Sequence, residues 1–253
     1  MKITLITATY NSEKHIGCCL QSMTGQSYKN LEHLIIDGGS RDGTFEIAKS
    51  ISSVSKWISE PDKGIYDALN KGIRLATGDI IGFLHSDDLF DSPDTLQHIA
   101  DAFANQEVSV VYGDSLFVDQ QDINKVVRYW KSQPFKPALL QRGWMPPHPT
   151  VFMRREVYEK HGLFNINLKC SADYDYILRV FRDKTQKFEY LPEVITKMQM
   201  GGMSTGGIKN LIIKKKEDYW VLKNNQMPFP FWVLVAKNLS KIPQFIFKSV
   251  KAH

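Results

Sequence analysis

The sequence predicts an α/β domain built on a doubly wound, mostly parallel sheet. Apolar runs of strand length lie at Lys2 to Ala8, Leu31 to Ile36, Val54 to Ser59 and from Ile80 onward. Segments with helical apolar spacing separate them. Each run also ends in polar or acidic residues: Thr9–Asn11, Asp37, Asp62 and Asp87-Asp88. In open α/β sheets ligands sit beyond the carboxyl ends of the strands, so these clusters share one functional edge.

The first run leads into a helix with Ile16, Leu20 and Met23 inward, for which Asn11 and Ser12 are good caps. The second ends in Asp37-Gly38-Gly39-Ser40, where paired glycines permit a sharp turn and close approach to a ligand. Ser40 or Asp42 caps the next helix, with Phe45, Ile47, Ala48 and Ile51 on its apolar face. Ile65 to Ala76 reads as a helix with Gly78 as its C-terminal cap. The fourth strand is read from Ile80 to Asp88, and Ser92-Pro93-Asp94 opens a further helix. After residue 107 the pattern changes to a hairpin, Val108–Val118 with Val126–Trp130, and then a proline-rich loop from Pro134 to Pro149. Thr150 to Met153 follows as a strand and Ala172 to Phe181 as a helix, and a glycine-rich loop precedes a lysine-rich helix from Ile208.

At 253 residues with 43% hydrophobic content, the chain suits one well-packed domain. Its net charge of +5 is too mild to indicate nucleic acid. Cys18, Cys19 and Cys170 offer no CxxC spacing and read as small apolar fillers in a reducing cytosol. The chain enters a strand directly, so no signal peptide is expected. The longest apolar run, Phe229 to Ala236, is far short of the ~20 residues that span a bilayer.

Adjacent carboxylates at a strand exit repel and shed solvation, which a divalent cation with diphosphate oxygens relieves. Asp87 and Asp88 are therefore either a metal–diphosphate site or a turn capping the next helix, and the convergence of strand ends favours the site. Asp37 either accepts hydrogen bonds from a base or ribose or starts the Asp-Gly-Gly turn. Asp62, Lys63 and Asp67 bracket a helix start where a phosphate can rest on free N–H groups, or form a solvated loop with an Asp67–Lys71 pair. Asp173 and Asp175 occupy the first turn of a helix, where acids are expected anyway, and one of them facing the metal site becomes a general base. His148 is either a polar loop residue or a contact to acceptor or phosphate. Walker A, GxSxG, HExxH and GxGxxG patterns are absent, which argues against a nicotinamide dehydrogenase.

Four motifs in order resemble the family 2 glycosyltransferases of GT-A fold: Thr7-Ala8-Thr9-Tyr10-Asn11, Asp37-Gly38-Gly39-Ser40 with Asp42-Gly43-Thr44, Asp62-Lys63-Gly64-Ile65-Tyr66-Asp67-Ala68, and Leu84-His85-Ser86-Asp87-Asp88. The resemblance covers residues 2–90 strongly, and Ala172-Asp173 with Gly201-Gly202-Met203-Ser204 more weakly. It implies a GT-A-type sheet with a small antiparallel extension and C-terminal helices. It also implies inverting transfer of a sugar from a nucleoside diphosphate sugar, a UDP-sugar favoured, with Mn²⁺ or Mg²⁺. Thr7, Ala8, Thr9, Tyr10, Asn11 and Asp37 are then expected to hold the nucleoside. Asp62, Lys63, Asp67, Ser86 and Asp87 lie toward ribose and diphosphate, and Asp87 and Asp88 match the metal-binding DXD element. His85 replaces the first acid of that element, and Ala172 stands where the family has a Glu before its base, Asp173. Gly202 and Ser204 fall in a loop resembling one that closes over the donor, and His148 lies on the acceptor side.

The expected organisation is one catalytic domain over residues 1–225, with a nucleotide-sugar half (1–107) and an acceptor half (108–225). Residues 226–253 form an amphipathic tail: Phe231, Leu234, Val235, Leu239, Ile242 and Ile246 share one face and Lys237, Lys241 and Lys248 another. Such a helix lies on an anionic membrane with its lysines at the headgroups, or packs back on the domain. The membrane reading implies a peripheral enzyme at the inner face of the cell membrane, in the cytoplasm, using a glycan or lipid-linked acceptor in bacterial surface polysaccharide assembly. The competing readings are a sugar-nucleotide nucleotidyltransferase, which needs a glycine- and lysine-rich loop after the first strand, and a non-catalytic sugar-nucleotide or membrane-binding module.

Overall fold

The computed structural model describes residues 1–51, 54–200, 207–241 and 244. Its elements in order are β1 (Ile3–Thr9), α1 (Ile16–Thr24), β2 (Leu31–Asp37), α2 (Thr44–Lys49), β3 (Lys56–Ser59), α3 (Ile65–Leu75), β4 (Ile80–Phe83), β5 (Asp88–Phe90) and α4 (Thr95–Ala102). The second half holds β6 (Val110–Val118), β7 (Val126–Trp130), β8 (Phe152–Arg154), α5 (Arg155–His161), α6 (Ala172–Phe181), β9 (Phe188–Gln199), α7 (Gly207–Asn224) and α8 (Pro230–Leu239). Short 3₁₀ turns at Pro137–Arg142 and His148–Thr150 punctuate the proline-rich loop.

One sheet runs in the order β3-β2-β1-β4-β8-β6-β9-β5, with β7 paired to β6. β1 through β4 pair in parallel, and the second half joins through antiparallel β4–β8 and β6–β8 contacts. β6 and β9 are parallel, while β5–β9 and β6–β7 are antiparallel. The predicted class therefore stands, with the antiparallel extension continuous with the parallel half.

Strand alternation sets the two layers. Ile6, Ala8, Leu34, Ile36, Ile81 and Phe83 face α3 through Ala68, Leu69 and Ile73. Ile3, Leu5, Ile80 and Leu84 face the other way, onto Cys19 and Met23 of α1 and Leu96 and Ile99 of α4. At Gly82 a Cβ would lie 2.1 Å from the Phe152 ring, so this residue lets β8 close against β4.

Several boundaries differ from the sequence reading. The run from Ile80 does not stay extended to Asp88. β4 stops at Phe83, the N–H of Asp88 donates to the carbonyl of His85 at 2.9 Å, and Asp88 opens β5. The acidic pair thus sits on a tight turn between two strands. α1 starts at Ile16, because the Ser12 carbonyl first accepts the N–H groups of His15 and Ile16, both at 2.9 Å. Ser12 Oγ instead meets Ser86 Oγ at 2.8 Å. Pro93 precedes α4 rather than opening it, since its carbonyl accepts Ser27 N–H at 2.8 Å. Gly78 is no cap: a Cβ there would lie 2.6 Å from Thr4 N, and Ala76 closes α3. Of the cysteines only Cys19 is buried; Cys18 is exposed.

Candidate active site

The ends of β1, β2 and β4 and the starts of α3 and α6 open on one cleft of about 2360 Å³. That exceeds the ~300–1,000 Å³ of a site for one small ligand and leaves room for two reactants.

The nucleoside edge is a lattice of loop contacts. Gly38 N–H donates to the Thr9 carbonyl at 2.9 Å, and Asn11, in the left-handed region at φ +47°, donates its N–H to Ser40 Oγ at 2.8 Å. Asn11 Oδ1 in turn accepts Arg41 N–H at 3.0 Å. Ala8, Thr9, Tyr10 and Asn11 line the cleft; Tyr10 is 61% exposed, and the buried Thr9 Oγ1 has no hydrogen-bond partner among the described residues. Thr7 does not reach the cleft, because its buried hydroxyl pairs with His33 Nε2 at 2.9 Å. Asp37 is not aimed into the cleft either. Its carboxylate accepts Ser40 N–H at 3.0 Å, Ser40 Oγ at 2.5 Å and Ser59 Oγ at 2.5 Å, so it braces the Asp-Gly-Gly turn.

Around α3, Asp62 lines the cleft and its Oδ1 accepts Gly64 N–H at 2.8 Å. A Cβ on Gly38 would meet Asp62 Oδ2 at 2.6 Å, so the glycine admits that carboxylate. Asp67 accepts Lys63 N–H at 3.1 Å, fixing the turn from behind. The Asp67–Lys71 pair is not formed, because Lys71 reaches Glu60 at 2.9 Å.

Ser86, Asp87 and Asp88 all line the cleft, Asp88 only 2% exposed. Burial, and then the neighbouring Asp87, push the Asp88 carboxyl well above the usual carboxylate range. Asp88 Oδ2 is buried with no hydrogen-bond partner among the described residues. No three metal-ligating side chains converge among those residues. A divalent ion held by one or two carboxylates, with water and diphosphate oxygens completing its shell, fits this donor set.

Asp173 faces the cleft from the first turn of α6. Its Oδ1 accepts Tyr66 O–H at 3.2 Å and Tyr174 N–H at 2.8 Å. Asp175 turns away to Arg179 at 3.1 Å and Asn225 at 2.8 Å, a structural role. Asp87 and Asp173 share the cleft with two imidazoles, half-buried His85 and buried His148, whose ring centroids are 6.0 Å apart. Burial lowers both, His148 to about 4, against the opposing pull of Asp173. His148, neutral at pH 7, stacks on Phe83 at 5.3 Å. Gly202 and Ser204 lie outside the described residues.

Two features went unread in the sequence. Tyr66 reaches Asp173 across 107 positions, which no local pattern reports. Arg128, Lys214, Lys237 and Lys241 also line the cleft. The lysine richness after residue 208 signals the three lysines, two of which the sequence placed on the outer face of the tail, but nothing local signals Arg128.

Comparison with known proteins agrees with this architecture. Residues 4–162 match the model of glycosyl transferase family 2. A PGL/p-HBAD biosynthesis glycosyltransferase of Mycobacterium bovis is 29% identical over 218 residues, covering 84% of this chain and 81% of that protein. Among solved structures, S. aureus TarS 1-349 in complex with UDP-GlcNAc superposes with a TM-score of 0.69 at 16% identity, covering 95% of this chain and 73% of that one. The mannosyltransferase PcManGT from Pyrobaculum calidifontis, in complex with GDP-Man and Mn²⁺, gives 0.67 at 20% identity, covering 97% and 73%. The GT-A sheet, the strand-end cleft and the family match together make this chain a glycosyltransferase, a member of glycosyl transferase family 2.

Proposed function

We propose that this glycosyltransferase moves a sugar, with inversion, from a nucleoside diphosphate sugar to a hydroxyl of a glycan or lipid-linked acceptor. The observation that carries the proposal is that Asp173 and Asp87 line one cleft, with His85 and His148 lining it beside them. The donor class is supported by the neighbours solved with UDP-GlcNAc and GDP-Man, and we favour a UDP-sugar. The setting we infer is bacterial surface polysaccharide assembly, in line with the M. bovis relative, itself a biosynthesis glycosyltransferase.

The strand-end loops hold the nucleoside, with Thr9 Oγ1 and the backbone around Asn11 and Gly38-Gly39 as its polar contacts. Asp62, Lys63 and Asp67 shape the turn beside the diphosphate, and Ser86 is fixed there by Ser12. Asp87 would hold Mn²⁺ or Mg²⁺, with Asp88 close behind. The bound cation supplies a Lewis acid and a template for the departing diphosphate. Tyr66 O–H holds one oxygen of Asp173 so that the other takes the acceptor proton as its oxygen attacks in line. His148 packs against the incoming acceptor.

A thermal-shift panel of UDP-, GDP- and dTDP-sugars with Mn²⁺ tests this. A cognate donor at about 100 times its Kd stabilises by about 2.7 kcal/mol, a Tm rise of roughly 5–10 °C for a chain of this size. EDTA removes the rise. No shift with any donor, with or without Mn²⁺, rules the reading out.

Membrane contact is part of the same proposal, with one correction to the expected face. Lys237 and Lys241 do not point to headgroups: both line the cleft, and buried Lys237 pairs with Asp218 at 2.9 Å. The outward face of α8 carries Phe231 and Leu239, each 59% exposed, and Trp232 at 67%, beside Phe229 at 76%. On α7, Lys215, Lys216 and Lys223 are exposed near Trp220, supplying cations for anionic lipid. No helix among the described residues is long and apolar enough to cross a membrane. Flotation with anionic liposomes recovers the protein in the lipid fraction, and Phe231→Ser with Trp232→Ser returns it to the soluble one. Equal flotation of the double variant, or none by the wild type, defeats this arm.

A further inference from the structure

Beyond Asp173 the cleft changes sign. Lys214 on α7, Lys237 on α8, Lys241 just past α8 and Arg128 on β7 line that end. Asp218 is the acid among them: its Oδ2 takes Lys237 Nζ at 2.9 Å, and its Oδ1 accepts Ser171 Oγ at 2.8 Å. The adjacent Glu217 is spent on the N–H groups of Lys169 and Cys170, each at 2.8 Å. Lys214 and Lys241 make no ion pair among the described residues.

Burial makes this excess of positive charge consequential. Lys237 Nζ sits 3.2 Å from the centre of the Tyr174 ring, out of water. Lys241 is held at about 8 by its own burial and by the nearby Lys237, Lys214 and Arg128. Cations crowded away from solvent repel one another and shed hydration, which a bound anion reverses. Arg128 is also fixed in place. Its Nε donates to Gln244 Oε1 at 2.8 Å, and its guanidinium lies 4.7 Å from the Phe117 ring centre and 4.9 Å from that of Trp130. Its Nη2 closes on the same Gln244 oxygen, so Arg128 brings a fixed charge to this end of the cleft. The place in the cleft matters as well. Lys237 lies against Tyr174, the residue after Asp173, and Asp218 holds Ser171 at the start of α6, so the basic end adjoins the turn that carries Asp173.

We propose that Arg128, Lys214, Lys237 and Lys241 form an anion site that binds a phosphate group carried by the acceptor. Calling that phosphate part of the acceptor rests on the transfer reaction proposed above; the anion site itself does not. The phosphate belongs either to a lipid-linked acceptor or to a soluble phosphorylated glycan.

Calorimetric titration of the full chain with octyl phosphate, kept below its micellar range, tests the site, with octyl β-glucoside as the uncharged probe. Octyl phosphate binds and the glucoside does not. The Lys214→Gln/Lys241→Gln double variant weakens binding about tenfold or more, while Lys241→Arg retains it and Asp87→Asn leaves it unchanged. Inorganic phosphate competing as well as octyl phosphate identifies a soluble phosphorylated acceptor, and octyl phosphate binding alone a lipid-linked one; both sustain the site. Unchanged affinity in the double variant, equal binding of the glucoside, or displacement of octyl phosphate by UDP overturns it. Octyl phosphate binding without any donor shift removes the transfer reading and keeps the site, and the reverse result removes only the site.

Discussion

Asp173→Asn lowers sugar transfer by about 10²–10⁴-fold, while the protein keeps its fold and its donor-dependent thermal shift. The carboxamide is nearly isosteric and still accepts from Tyr66 O–H and Tyr174 N–H, which hold Oδ1 at 3.2 and 2.8 Å. What it loses is the capacity to take a proton. Asp175, two residues on, gives the contrasting result. Its carboxylate is buried against Arg179 and Asn225, so Asp175→Ala strands buried partners and lowers stability by about 1–3 kcal/mol. Transfer assays on purified protein, with circular dichroism as the fold control, separate the two. Near-normal turnover by Asp173→Asn removes Asp173 as the base.

Asp87→Asn is the second large loss. Cation-mediated stabilisation of a departing diphosphate is worth several kcal/mol, so transfer falls by about 10²-fold or more, and excess Mn²⁺ does not restore it. Asp88→Asn behaves differently. Its carboxyl is 2% exposed and already held well above the usual carboxylate range by burial and then by Asp87. A neutral amide relieves that tension, so stability does not fall and the kinetic loss is the smaller of the two. The measurement is a Mn²⁺ titration of transfer for both variants, and the opposite ranking exchanges their roles.

Much of the parallel half was legible because its signals are local. Short apolar runs closed by Thr9–Asn11, Asp37, Asp62 and Asp87-Asp88 give both the strands and the shared edge, since side-chain alternation and chain direction follow from the backbone alone. For Asp37 the sequence offered two roles, a nucleoside contact or the start of the Asp-Gly-Gly turn, and the hydroxyls of Ser40 and Ser59 on its carboxylate are the contacts of the second. The turn at His85–Asp88 was hidden too, because strand propensity continues through residues whose hydrogen bonds close a turn. Periodicity gave α8 two faces but could not say which one is inward. That was decided by Asp218 and Tyr174, two distant residues that draw Lys237 in.

The inward turn of Lys237 makes α8 part of the cleft wall. A Cβ on Gly143 would lie 2.5 Å from Lys237 Cβ, so the proline-rich loop is moulded onto α8. A chain shortened before Pro230 would uncover Tyr174, the residue after Asp173, and leave Asp218 without its cation. α8 is therefore built into the acceptor half, and exchanging it between relatives would transplant a wall of the reaction chamber rather than a detachable anchor.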